Sequence, residues 1–179
     1  MLRILSALAL AACCAHAAAQ ETVSMAYDPK TTDTPAVKIP GACGVTITGV
    51  ADARNNKETV GPVLSRDPVP WVNAALAGLD AWGYTVSGAP SARPGDVGIQ
   101  ATLIRAYAFH GPMRINGVVA MDTRIATPSG KQIERKYRAF GSKINMMNAT
   151  DEFMVALNYA MNDLLAKLSA DLKEFCAAR

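Results

Sequence analysis

Hydrophobic positions recur along this chain with two different periods, and the longest stretch of either lies near its end. From Asn148 to Phe175, apolar residues fall at Phe153, Leu157, Ala160, Met161, Leu164, Leu165, Leu168, Leu172 and Phe175, three or four apart. Asn158, Asn162, Lys167 and Asp171 lie away from that stripe. The spacing predicts one amphipathic helix of about 25 residues that closes the domain. Asn148 or Thr150 suits its N-cap, and Asp151 and Glu152 sit in the first turn, where the macrodipole favours negative charge. A stripe of that length needs a broad apolar surface to cover it.

The preceding chain supplies that surface as alternating segments. Cys43-Gly44-Val45-Thr46-Ile47-Thr48 alternates as a half-buried strand does, and Gly49 marks a bulge before Val50. Asp67-Pro68 starts a helix whose inner face is Val72, Ala75, Leu76 and Leu79 and which Gly83 stops. Tyr84-Thr85-Val86 is a brief strand, and Gly88 to Gly95 a loose loop. Val97 to Phe109, Met113 to Thr127 and Lys131 to Ser142 read as three longer strands. Turns at His110-Gly111-Pro112 and Pro128-Ser129-Gly130 make these three an antiparallel meander. The expected fold is α+β in two layers: a mostly antiparallel sheet with two helices on one face, in the order β-α-β-β-β-β-α.

Composition adds an address rather than a chemistry. The chain has 179 residues, half of them hydrophobic, with a net charge of +3. Removing the first twenty residues removes only Arg3, leaving 17 basic against 15 acidic side chains. No concentrated basic domain of the kind that binds nucleic acid is present. Arg3, the apolar run Ile4 to Ala12 and the small residues after it form an export signal, too short to span a bilayer as a helix. Leu10-Ala11-Ala12-Cys13 has the form of a bacterial lipobox, in which Cys13 is acylated and becomes the mature N-terminus. Ala15-His16-Ala17 and Ala17-Ala18-Ala19 offer ordinary cleavage sites instead, so the signal covers residues 1–19 on either reading. Lipidation is the favoured one. Cys14, in place of aspartate, directs such an anchor toward the outer membrane.

Residues 20–42, with Pro29, Pro35 and Pro40, lack periodicity and read as a linker ahead of a single domain over 43–176. Val37 and Ile39 fit an alternative in which part of it lies along the sheet. Cys43 opens the first strand and Cys176 ends the long helix. In an oxidising compartment they are a candidate disulfide, and two separate buried thiols are the alternative.

Gly44-Val45-Thr46-Ile47-Thr48-Gly49-Val50-Ala51-Asp52-Ala53-Arg54, the turn Trp82-Gly83-Tyr84 and then Tyr137-Arg138-Ala139 stand in the same order as in a known family. From about Gly44 to Leu172 the chain resembles the YajG-type lipoproteins of Gram-negative bacteria. The resemblance implies an envelope lipoprotein with an α+β domain, no established catalytic residue and no cofactor. The cysteine pair and the doubled cleavage pattern depart from it.

Candidate chemistry is sparse. His110 is the one histidine after the signal and sits in a turn, with no G-x-S-x-G, H-E-x-x-H, C-x-x-C or phosphate loop in the chain. Asp52 and Arg54, two apart at a strand end, are candidate ligand-binding residues, with a loop-fixing pair as the plainer reading. Lys131, Arg135, Lys136, Arg138 and Lys143 make the last strand basic, which protects an exposed edge. Met146 and Met147 read as filling the helix entry, and Trp71 and Trp82 as core or rim aromatics. These features point to a non-enzymatic binding or scaffolding domain in the periplasm, with the membrane and an envelope protein as partners and no cofactor. A soluble periplasmic ligand-binding module, using Asp52, Arg54 and the Ser87 to Gly95 loop, is the alternative.

Overall fold

The structure, a computed structural model, describes residues 22–29, 36–40, 42–65, 67–146 and 150–177. The export signal, Cys13, Asn148 and Met147 lie outside them. The main sheet comprises β2 (Gly44–Asp52), β4 (Thr85–Gly88), β5 (Val97–Gly111), β6 (Arg114–Ala126) and β7 (Gln132–Ile144), in the spatial order β4-β2-β5-β6-β7. Helices α1 (Val69–Ala77) and α2 (Thr150–Ala177) complete the α+β architecture. A pair of two-residue strands, β1 (Thr22–Val23) and β3 (Leu64–Ser65), runs parallel at the side.

The meander β5-β6-β7 is antiparallel throughout, as the alternation and turns predict. β2 differs: it lies parallel to both β4 and β5. The unit β2-α1-β4 is a crossover, and a parallel neighbour demands such a long connection through a helix. Asp67 accepts a hydrogen bond from the Val69 amide at 2.9 Å and so starts α1. A 3-10 turn, Gly78–Trp82, follows α1, and Gly83 ends it at φ 97, a conformation glycine takes without strain. The loop from β4 then passes over β2, where Thr46 is fully buried and donates to Asp96 Oδ2 at 2.8 Å. The bulge expected at Gly49 appears as a register shift between Ile47 and Gly49.

α2 packs on β5, β6 and β7. Its closest seat is a row of small residues, Ala108, Gly117 and Gly141, which are successive cross-strand partners. A Cβ on Gly117 would collide with the Ala156 carbonyl, and one on Gly141 with the backbone of Ala156 and Ala160. Asn158 and Asn162, expected away from the stripe, are buried. The correction has a physical cause, because α2 is covered on a second side by α1 and by residues 22–29. Asn158 Oδ1 accepts from the Trp71 indole at 2.8 Å and its Nδ2 donates to the Ala26 carbonyl at 3.2 Å. The Tyr27 hydroxyl donates to Asn162 Oδ1 at 3.2 Å. A buried amide is tolerated only with such partners.

Within the expected linker, residues 20–42, the described stretches 22–29 and 36–40 lie against the domain. Residues 22–29 dock on α2 through Ala26 and Tyr27, with Met25 buried in the core, and the Ile39 amide donates to the Trp82 carbonyl at 2.9 Å. Cys43 and Cys176 form a disulfide, their Cα atoms 5.5 Å apart across 133 residues of sequence. It ties the start of β2 to the last turn of α2.

Two stability predictions follow from this packing. Gly117→Ala or Gly141→Ala should lower stability by about 1–3 kcal/mol through overpacking, whereas Gly88→Ala, which meets nothing within 4 Å, should change it little; urea unfolding of the three variants compares them. Joint replacement of Cys43 and Cys176 by alanine should cost up to about 5 kcal/mol in the chain-entropy account of so long a loop. An unfolding midpoint that ignores both this change and added reductant would contradict it.

Candidate functional site

Asp52 and Arg54 come together as expected, but as a clamp. Arg54 Nε donates to Asp52 Oδ1 at 2.9 Å, Nη2 to Oδ2 at 3.1 Å, and the Arg54 amide to Oδ1 at 3.1 Å. The guanidinium also reaches the carbonyls of Lys57 and Thr59. Its side chain is 3% exposed, so its donors are directed inward and hold the loop after β2. Burial alone would raise the Asp52 carboxyl; the hydrogen bonds and charge of Arg54, with the charge of Lys57, bring it below the ordinary carboxylate value. In this geometry the pair fixes the loop, and Arg54 also lines the cleft between that loop and β5.

The other residues singled out by sequence are dispersed. His110 packs edge-on against Phe153, ring centroids 4.9 Å apart, on the helix side of the hairpin. Arg135 pairs with Asp171 at 3.3 Å and lies over the Phe175 ring, while Lys143 pairs with Glu152. Asp171 also accepts from the Tyr137 hydroxyl at 2.7 Å; burial first and that carboxylate second raise the phenol above its ordinary value. Ser87 to Pro90 line a groove of about 590 Å³ with Ile47, Asn73 and Asp80, apart from Asp52 and Arg54. Among the described residues no group of three or more His, Cys, Asp or Glu could hold a metal ion.

What the strands do assemble is a surface on the side of the sheet away from α2. Tyr107, Val118 and Phe140 are direct cross-strand neighbours on β5, β6 and β7. Tyr107 is 46% and Phe140 55% exposed, and Ile104, pushed outward at the β5 bulge, adjoins them. Phe109 stacks on Tyr107, centroids 6.0 Å apart. The next row is Arg105, Ala120 and Arg138. Among the described residues no carboxylate pairs with Arg105 or Arg138, whereas Arg124 and Lys136 further along the same face are paired with Glu134 and Asp122. A cleft of about 260 Å³ between Tyr107, Arg105 and Ile104 and the loop of Arg54, Asn55, Asn56 and Thr59 borders the patch. An apolar centre beside unneutralised guanidinium groups suits a surface of apolar and acidic residues.

A solved structure shares this architecture. No protein-family model matches the chain, and no curated protein does. Among solved structures, a DUF330 protein of Xanthomonas campestris is similar at 9% identity with a TM-score of 0.57, over 88% of this chain and 97% of that one. A minor lipoprotein of Acinetobacter baumannii is 12% identical with a TM-score of 0.41, over 71% of this chain and 93% of that one. A lipoprotein of Neisseria meningitidis is 14% identical with a TM-score of 0.38, over 70% of this chain and 99% of that one. The first of these shows a common fold. The YajG-type family itself stands as a resemblance of sequence, which these structures neither name nor add to.

Sequence reading missed the outer patch because its members belong to three different strands, and only register brings them side by side. The available signal was the outward parity of Tyr107, Val118 and Phe140 against the buried parity of their neighbours.

The lowered carboxyl of Asp52 makes a pH prediction. A depressed folded-state value means the stabilisation is full above the unfolded carboxylate value of about 3.9 and is lost as pH falls below it. Asp52→Asn should therefore flatten the acid limb of a stability profile below about pH 4. An acid limb that survives unchanged would show that the clamp is not its source.

Proposed function

We propose that the protein is an exported lipoprotein of the cell envelope, acylated at Cys13 and held at the outer membrane. Its domain acts in the periplasm as a non-enzymatic binding or scaffolding module. The lipobox supports the anchor. The binding role is supported by one observation, the open sheet face on which Tyr107, Val118 and Phe140 lie beside Arg105 and Arg138. The partner it fits is a protein surface with an apolar centre bordered by carboxylates, because a desolvated guanidinium needs a partner charge. A soluble ligand-binding module is the second reading. The groove beside Ser87 to Pro90 favours it, but Arg54 is committed to its clamp and does not serve it.

Two measurements separate these readings. Cys13→Ala should move the protein from membrane to soluble fractions, and the wild-type mass from membranes should include acyl chains on Cys13. A photocrosslinking residue at Tyr107 should trap a discrete envelope protein, and Arg138→Glu should weaken that product about thirtyfold or more, since breaking a close interfacial charge pair costs about 2 kcal/mol or more. Equal products from Tyr107 and from Lys173, on the exposed side of α2, would reject the sheet face as the site.

A further inference from the structure

The docked N-terminal segment carries information about how an anchored domain stands on its membrane. Ala26 lies against Asn158 and Tyr27 against Asn162, so residues 22–29 run along α2 in the same direction as the helix. Followed backward, the chain leaves at Thr22 beside Leu64, toward the N-terminal end of α2. The β3 region is tied to this end as well, since the Ala108 amide donates to the Val60 carbonyl at 3.0 Å. Only eight residues separate Cys13 from Thr22. Fully extended, that connection reaches about 30 Å. α2, with 28 residues, is about 42 Å long at 1.5 Å per residue. The tether is thus shorter than the domain, and the end of the domain nearest Thr22 is the end nearest the bilayer.

That end carries an apolar group of its own. Met113 at the β5-β6 hairpin tip is 84% exposed, Ile144 is 59% and Met146 80%. They adjoin one another, because Ile144 is the cross-strand partner of Arg114 and the Asn145 amide donates to the Met113 carbonyl at 3.0 Å. Met113 holds a positive φ of 57, a conformation that glycine or asparagine takes at lower cost. Folding does not call for a bare thioether there. Three exposed apolar side chains at one tip match the interfacial zone of a bilayer, where apolar tips enter, while the neighbouring Arg114 donates from Nη1 to Ser142 Oγ at 3.3 Å on the sheet.

We propose that the domain rests on the lipid surface by this end, with Met113, Ile144 and Met146 seated at the headgroup and acyl boundary. The inference rests on acylation of Cys13 and adds to it an orientation. Two faces of the domain then have separate occupants, lipid at the hairpin tip and a protein on the open sheet.

Brominated lipids test it in the full-length acylated protein. The purified protein is reconstituted into phosphatidylcholine vesicles with or without brominated chains, and tryptophan is introduced by Met113→Trp, Met146→Trp or, in the opposite hairpin, Ser129→Trp. Trp71 and Trp82 are buried and give the same background in each. Bromine should quench the added emission at 113 and at 146 at least twofold more than at 129. Met146→Trp guards against a hairpin disturbed by the change at 113. Vesicle flotation with equal quenching at all three sites would leave the anchor standing and overturn the orientation. Failure of the wild type to float would overturn both.

Discussion

A helix whose buried positions extend well beyond one stripe cannot be satisfied by a single sheet face. α2 buries Leu157, Ala160, Met161, Leu164, Leu165 and Leu168 completely, and it also buries Asn158, Asn162 and Ser169. The sheet covers one side of the helix, α1 and the N-terminal segment lie over Asn158 and Asn162, and the Tyr84 hydroxyl donates to the Ser169 carbonyl. The two buried amides find partners in the covering elements, in Trp71, Tyr27 and the Ala26 carbonyl, whereas the buried Ser169 hydroxyl has none among the described residues. The arrangement of everything around the meander follows from that requirement.

The same requirement separates what was legible in the residues from what was not. The period of α2, the alternation of β5, β6 and β7 and the turns between them are local patterns, and each appears at about its expected place. The Cys43 and Cys176 pair was readable as a candidate because the two residues end the first strand and the last helix. Partner choice is a different kind of information. Alternation in Val45 to Ile47 marks a strand, but nothing in it says that both neighbours run parallel, and β1 and β3 are too short to show a period. Asn158 and Asn162 look like surface residues until the segment that covers them is in place.

The candidate site repeats this division. Asp52 and Arg54 were visible as a pair because they are two residues apart at a strand end. That the guanidinium turns inward to the Lys57 and Thr59 carbonyls depends on the path of the following loop. Tyr107, Val118 and Phe140 are far apart in sequence and unremarkable one by one. Their adjacency is a property of register, set by the two hairpins. Reading outward parity on each strand, once the meander was recognised, would have found them.

Val118 directly follows Gly117, and Phe140 directly precedes Gly141, the two glycines at which the sheet touches the backbone of α2. The patch on the open face is therefore backed by main chain against main chain, with no side chain between that could yield. A surface supported in this way has little freedom to lose when something settles on it, so its conformational cost of association is confined to the aromatic and arginine rotamers themselves. It also cannot mould itself to a poor fit. Selectivity at such a face comes from shape held in advance, and a partner must match it as it stands.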